Sequence, residues 1–478
     1  MAPEWNESRQ AGRSRVVPGS GHPPSLTGLT VSATVNEDLL VGVLTRAVAK
    51  GATAADGYLI EESAFSAVVR LGDLETVTHA RDARLSLRVF AGRASAAAST
   101  SDLSRESLER VVDEATSLAK VTAEDPHAGL PDPQDLIRGV PDLDLADASP
   151  DETPEAKIDV ARRCEAAALE SDPCITNSEG AEYYDRRARY VYATSHGFAR
   201  GYATTTFGIS VSPVAARNGE MQRDSWYSTA RTRARVEDPV AVGRTAAARA
   251  VRRLGARKVK TVEVPVVFDP ETAASLLRSI AGAASGPSLY RRASFLLDRL
   301  GTKVAAPAVT IVDDALIPAG LGSRPFDGEG LPTARTVLVR EGVLESYLLD
   351  TYSARKLGMA STHHAARDGN GVSVSTSNLM LLPGRATPSE LIGSVRRGLY
   401  VTELIGFGVN SVTGDYSRGA VGLWIENGEL AYPVEEITVA GNLLEMFQAV
   451  DGVGADLVLR ERTAAPTLMI GRMVVAGN

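Results

Sequence analysis

Apolar positions change their spacing several times along the chain, and each change marks an element. Leu39, Leu40, Val43, Leu44 and Val48 recur at helical spacing, with Asn36 placed to cap them, which predicts a first helix. Tyr58–Ile60, Ala67–Leu71 and Leu85–Phe90 read as strands. Helical spacing returns near Ser104 with Leu108, Val111, Val112, Ala115, Leu118 and Ala119. Thr153-Pro154-Glu155 opens a further helix toward Leu169, because proline is tolerated in a first turn. Alternating segments at about 180–186, 188–195, 198–212 and 216–229 then predict strands. Gly180, Gly197, Gly201 and Asn218-Gly219 punctuate them, and Asn-Gly is a hairpin signal.

A basic helix is predicted from Asp238 to Leu254, a buried strand at Val262–Phe268, and a helix from Asp269-Pro270-Glu271 to about Ala284. Beyond Val309 the pattern breaks into short strands and glycine turns, at Val337–Arg340, Glu345–Leu349, Val409–Val421, Leu423–Ile425 and Leu468–Val475. Helices are expected only at Asp350–Leu357 and Pro388–Gly398. The fold class is therefore α+β: an α/β front half of helices and antiparallel strands, then a β-rich back half with few helices. Residues 1–35, rich in Pro, Gly, Ser and Arg, read as a disordered tail. The expected organisation is an N-terminal α/β domain over 36–123, an Asp- and Pro-rich linker over 124–152, a middle α/β domain over 153–260 and a β-rich domain over 261–478.

Composition narrows the function. The 51 Lys+Arg against 59 Asp+Glu give a net charge of −8, and aromatics are only 5%. Neither feature favours nucleic acid as a partner. No apolar stretch is long enough to span a bilayer, since Arg46 interrupts the run Leu39–Val48. The first 35 residues hold no apolar core of a secretory signal, and the cysteines are only Cys164 and Cys174. A cytoplasmic protein without membrane or disulfides is expected.

Catalytic motifs are scarce. None of the six histidines precedes a glutamate, so no HExxH zinc site can be written. His363-His364 is the only histidine pair, and neighbours on a regular element point apart, so a loop location is expected. No nucleophile elbow or Walker loop occurs, and Gly320-Leu321-Gly322 and Gly406-Phe407-Gly408 read as turns. The basic run from Arg244 to Lys260 reads as a solvated helix face. Asp313-Asp314 and Asp327-Gly328-Glu329-Gly330 read as acidic turns. The densest polar segment is Gly408–Ala420, GVNSVTGDYSRGA. Its Asp, Arg and hydroxyls suit either binding of a peptide backbone or a hydrogen-bonded turn that locks two strands.

That segment, with Gly422–Glu429 and Tyr432–Thr438, resembles the C-terminal signature of the TldD/PmbA family, PmbA (TldE) branch. Asn177–Ala181, Met221–Tyr227, Phe326–Gly330 and Tyr352–Gly358 extend the resemblance, which runs from about residue 38 to the end. It implies a division of labour. The TldD branch resembles a zinc metallopeptidase with an HExxxH helix and a later cysteine. The PmbA branch lacks those ligands and pairs with TldD to enclose a peptide-cleaving chamber. Laid on that motif, Arg278 and Ala283 stand where the histidines would be and Ser279 where the glutamate would be, and no cysteine follows Cys174.

A hydrolytic zinc needs about three protein ligands and a carboxylate to take a proton from its water. Arginine and alanine supply neither, so no catalytic residue, metal ligand or cofactor is expected in this chain. The resemblance implies a non-catalytic subunit of a heterodimeric metallopeptidase, with zinc in a TldD-type partner. The pair would cleave unfolded proteins or mature a peptide, holding an extended substrate by strand addition. Asn410, Thr413, Asp415, Ser417 and Arg418 are the expected chamber wall or its support. The alternative is a metal-free scaffold that recruits a peptide or small protein without proteolysis. One departure stands out: His363 replaces the glycine that usually follows Ser-Thr in the family.

Overall fold

The computed structural model describes residues 33–368 and 371–477, so the predicted tail lies almost wholly outside the described residues. The front of the chain forms α1 (Ala33–Ala49), β1 (Ala54–Arg70), β2 (Asp73–Ala91), β3 (Ala94–Thr100) and α2 (Arg105–Val121). It continues with α3 (Pro154–Leu169), β4 (Ile175–Thr194), β5 (Ala199–Arg217), β6 (Glu220–Arg223), β7 (Trp226–Ala230) and α4 (Pro239–Val251). The strands share one antiparallel sheet, ordered β3-β2-β1-β4-β5-β6, with β7 also on β5. β1 and β4 pair continuously from Asp56↔Thr194 to Val69↔Ala181, so the first and middle parts of the chain are joined through the centre of the sheet.

The short runs expected at Tyr58–Ile60 and Ala67–Leu71 are the two ends of one strand, β1. The four alternating segments are likewise fewer and longer: β4 covers twenty residues and β5 nineteen. The residues that join the runs are polar side chains, such as Glu61, Glu62 and Ser63, and their backbones pair on both sides. Composition breaks the run where hydrogen bonding does not.

Strand alternation sends Leu59, Leu85, Leu87, Val89 and Val191 under α1 and α2. The same face carries Ala67, Val69, Tyr183, Ile209 and Val211 under α3 and α4. Cys164 is buried in this second cluster, and both cysteines are free. Burying a Leu or Val side chain contributes about 1.5–3 kcal/mol, so the helices hold this face firmly. The opposite face is left for the remainder of the chain.

Residues 124–152 form no long element but pack closely across the molecule. Leu130, Leu136, Leu143 and Leu145 are buried, and Arg355 donates to the Gly129 and Leu130 carbonyls at 3.0 and 2.6 Å.

The back half begins with β8 (Val262–Phe268), α5 (Pro270–Ala283), α6 (Gly286–Tyr290), β9 (Ile311–Asp314), β10 (Arg335–Arg340) and β11 (Val343–Leu344). Next come α7 (Thr351–Leu357), β12 (Ala365–Asp368), β13 (Gly371–Val374), β14 (Leu379–Leu381) and α8 (Pro388–Gly393). It ends with β15 (Arg397–Ile405), β16 (Asp415–Glu426), β17 (Glu429–Asn442), α9 (Leu443–Gln448), β18 (Val450–Val453), β19 (Thr463–Ala464) and β20 (Leu468–Ala476). One sheet runs β17-β16-β15-β8-β20-β18, and an extra β17–β20 pairing closes it on itself. A second runs β11-β10-β9-β14-β19. Phe268, Trp424 and Phe447 anchor the core between these sheets and α5. The whole is α+β with a β-rich back half.

The basic run around α4 is a solvated face only in part: Arg244, Arg257, Lys258 and Lys260 are exposed, whereas Arg249 and Arg253 are not. Arg249 and Arg253 have only 12% of their side chains exposed. Arg249 meets Asp224 at 3.2 Å and Glu271 at 3.5 Å, and Arg253 meets Glu403 at 2.6 Å. Helical spacing turns these arginines toward the back half, where carboxylates offset their burial.

Candidate functional site

The face of the large sheet away from the helices is polar. Asp56, Tyr58 and Glu62 on β1, Tyr184, Arg186 and Tyr190 on β4, and Tyr202, Thr204 and Thr206 on β5 all fall on the other parity from the core residues. All of these except Asp56 and Glu62 floor a cleft of about 740 Å³, whose opposite wall includes Arg324, Phe326, Asp327, Gly328, Ala366, Arg367 and Arg460–Thr463. A hollow of about 490 Å³ shares Tyr58, Arg186, Tyr190 and Arg367 with it. Another of about 510 Å³ shares Arg278, Arg460, Glu461 and Thr463. The three form one groove between the front sheet and the back half. The central floor strands are paired on both sides, so a peptide lying here meets side chains rather than free backbone. Strand addition needs an edge, and this is a face.

A buried polar joint fastens the groove. Asp56 is fully buried; Arg88 donates to it at 3.0 and 2.6 Å, Tyr192 Oη donates at 3.0 Å, and Arg367 pairs with it from the back half. Burial alone would raise the Asp56 carboxyl, but Arg367 and Arg88 outweigh it and hold the pKa below its ordinary value. Glu329 lies beside it, 3.8 Å from Arg88, and accepts from the Thr351 amide at 2.9 Å. Burial, aided by the Asp327 carboxylate, pushes Glu329 up to about 7. The segment Asp327–Gly330 is therefore not a solvated acidic turn. Asp327 and Glu329 are 2% and 1% exposed, and Asp327 accepts the Glu329 and Leu331 amides at 2.8 and 3.0 Å.

The histidine pair divides. His364 is buried, with Nε2 3.2 Å from Asp313 Oδ2 and Nδ1 2.9 Å from Thr362 Oγ1. Asp313 is buried as well and accepts the Ser377 amide. His363 adopts φ +59°, the left-handed region that favours glycine, and its Nδ1 lies 2.6 Å from the Pro332 carbonyl.

The signature segment lies elsewhere. None of Asn410, Thr413, Asp415, Ser417 and Arg418 lines the groove: Asn410 and Thr413 lie in the turn between β15 and β16, and Asp415, Ser417 and Arg418 on the first residues of β16. Asn410 Oδ1 accepts the Val412 amide at 2.9 Å, and Thr413 Oγ1 donates to Asp415 at 2.6 Å. Asn442 donates to the Thr413 carbonyl at 2.9 Å, and Arg418 to the Leu404 carbonyl at 3.1 Å. Ser417 pairs through its backbone: its amide donates to the Gly408 carbonyl at 2.7 Å. A Cβ on Gly408 would sit 1.7 Å from the Ser417 carbonyl oxygen, so only glycine fits there. The hairpin lifts Phe407 fully into solvent, with Ile405 and Val412 also exposed.

On α5, Arg278 is exposed where the groove continues into its third hollow, and lies 3.9 Å from Glu461. Ser279 is half-buried, and its hydroxyl donates to the Ser275 carbonyl at 3.3 Å. Ala283 is fully buried in the back-half core.

Three domain descriptions of one family match the chain in order. They are the PmbA/TldA metallopeptidase domain 1 over residues 55–119, the central domain over 147–254 and the C-terminal domain over 261–477. The chain is 38% identical to "Metalloprotease PmbA" of Escherichia coli O157:H7 over 416 residues, covering 86% of this chain and 90% of that one.

The chain belongs to the PmbA/TldD family.

Solved structures share the fold. A crystal structure from Bacteroides thetaiotaomicron superposes with a TM-score of 0.86 at 29% identity, covering 93% of this chain and 99% of the other. TldE from Thermococcus kodakarensis shares the fold, with a TM-score of 0.83 at 20% identity over 92% and 100% of the two chains. For a PmbA/TldD chain the metal question turns on the donor set. Among the described residues no three His, Cys, Asp or Glu side chains are grouped to hold an ion. The α5 positions offer a guanidinium, a hydroxyl and a buried methyl, which do not fit a hydrolytic zinc. No helix among the described residues is long and apolar enough to cross a membrane.

The groove residues are scattered through the chain and belong to no contiguous motif. A signal was present: Tyr184, Arg186, Tyr190 and Tyr192, broken only by Ala188, and Tyr202, Thr204 and Thr206 share one parity and mark a face that is not a core.

Proposed function

We propose that this chain is the non-catalytic member of a two-chain zinc metallopeptidase. It holds an extended peptide along the groove while a TldD-type sister chain supplies the metal and the proton acceptor. The observation that carries this reading is α5: it borders the groove with Arg278, buries Ala283 and offers no ligand set. Family membership among proteins named metalloproteases supports the link to peptide cleavage. The exposed hairpin at Phe407 offers an apolar tip for the sister chain to cover, and Asn410, Thr413, Asp415 and Arg418 set its shape. The substrate is either unfolded protein in general or one peptide that needs maturation.

The test is an assay of the purified chain alone, then with a TldD-type partner and zinc. Cleavage is expected only from the mixture and is expected to stop with a chelator. Chelator-insensitive cleavage by the lone chain would overturn the reading.

A further inference from the structure

The arginines of the groove fall into two groups. Arg186, Arg278, Arg367 and Arg460 each stand within ion-pair distance of a carboxylate, on Glu62, Glu461, Asp56 and Glu237 respectively. Arg231, Arg324 and Arg462 have no such partner among the described residues. Main-chain carbonyls hold them instead. Arg231 donates to the Thr205, Gly320 and Leu321 carbonyls at 3.1, 3.3 and 2.5 Å, and to the Thr206 hydroxyl at 3.2 Å, which uses most of its N–H groups. Arg324 donates to Ser375 at 3.0 Å, and Arg462 to the next carbonyl, Thr376, at 2.7 Å.

A carbonyl orients a guanidinium but does not cancel its charge, and an uncancelled charge away from water is costly. Arg231 is only 8% exposed, and Arg324 Nε is buried with no hydrogen-bond partner. Burial draws the Arg231 and Arg462 guanidiniums below their ordinary pKa, and the Arg324 charge adds to the effect on Arg462.

The loops that aim these groups are rigid. Asn378 accepts the Gly322 amide at 2.8 Å and donates to the Asp314 carbonyl at 2.6 Å. A Cβ on Gly322 would lie 2.0 Å from the Ser377 carbonyl oxygen. Tyr58 and Tyr202 line the same cleft, and burial raises both hydroxyls, Tyr202 to about 12, so they remain donors. Cations and hydroxyl donors thus outnumber the anions in one hollow: Asp327 and Glu461 also line it, but Asp327 accepts the Glu329, Leu331 and Ala365 amides, and Glu461 accepts from Tyr227 and faces Arg278. This happens in a chain whose net charge is −8.

We infer that Arg324 and Arg462, with the buried Arg231 charge behind them, form a carboxylate-binding subsite in the groove, which receives an acidic side chain or the terminal carboxylate of an extended peptide. The inference rests on the peptide-groove reading and adds the chemistry that the groove selects. Guanidinium forks suit carboxylates because two N–H groups meet two oxygens.

Fluorescence anisotropy with the purified full-length chain, alone and with its partner under chelator, tests it. Four labelled peptides of one length are used: one bearing Asp and Glu with a free C-terminus, the same peptide amidated, its Asn/Gln counterpart with a free C-terminus, and that counterpart amidated. A matching carboxylate is expected to tighten binding by about tenfold over the amidated Asn/Gln peptide. Loss on amidation identifies the terminus as the source, and loss on the Asn/Gln change identifies the side chains. Arg324→Gln and Arg462→Gln should bring the charged peptide to the level of the neutral one, while Arg462→Lys, which keeps the charge, should retain part of the preference. Equal affinity for all four peptides would overturn the subsite and leave the groove reading standing. So would a preference that survives both glutamine variants, or an oligonucleotide that outcompetes the acidic peptide. Absence of binding by every peptide would overturn the groove reading itself.

Discussion

The signature hairpin and the groove are built by opposite means. The hairpin from Gly408 to Ala420 is contiguous: Asn410, Thr413 and Asp415 satisfy one another and nearby amides within a few residues. The groove draws on strands far apart in the chain, and its joint unites Asp56 with Arg367 across 311 positions. Local hydrogen bonds make the first recognisable and replaceable. Long-range burial makes the second costly to disturb. A chain met as text advertises its hairpin, whereas its groove emerges only after folding.

The strongest challenge to this contrast is Asp56→Ala. It would strand Arg88 and Arg367 in a buried site, so chemical denaturation should show a loss of about 3–5 kcal/mol. A loss below about 1 kcal/mol would mean that water reaches the joint and that the contrast is overstated.

Acidity probes the same joint. Glu329 is raised by burial to about 7, so the folded state holds its proton more tightly than the unfolded chain does. This group's contribution is fully present below its unfolded pKa, near 4.5, and is lost as pH rises through about 7. Melting temperatures of the native chain should fall over that window, and Glu329→Gln should flatten the slope. An unchanged slope would place the titration on another group.

In the hairpin, Asp415→Ala removes an acceptor for Thr413 at an exposed site. The expected cost is about 1 kcal/mol or less, read by the same denaturation. A cost comparable to that of Asp56→Ala would erase the distinction between the two regions.

The smallest effect is expected at His363, held at φ +59°. His363→Gly should stabilise by roughly 0.5–1 kcal/mol, offset in part by loss of the contact with the Pro332 carbonyl. Destabilisation would show that this contact outweighs the backbone strain.

What could be read before folding follows the same division. The α+β class and the positions of α2, α3, α5 and α7 came from local spacing, whereas Gly408–Ala420 read equally as a peptide site or a locking turn, and the strand expected from Val409 begins only at Asp415. The departure at His363 was visible only against the family pattern that the chain resembles, and the left-handed backbone gives the physical reason that glycine suits the position. The buried roles of Asp313, Glu329 and Arg249 were not legible. Each is a charge that looks solvated until a partner from another segment arrives. The groove was half legible, since the alternating tyrosines and arginines of β4 were present without any sign of what they would face.

The central pairing of β1 with β4 carries a consequence for biosynthesis. β1 ends at Arg70, but its partner is not complete until Thr194, 194 − 70 = 124 residues later. At translation rates of about 5–20 residues per second, that edge stays open for roughly 6–25 s on the ribosome. Through that interval a seventeen-residue strand lacks a neighbour on one side, an invitation to wrong pairing that a nascent-chain chaperone would be well placed to screen.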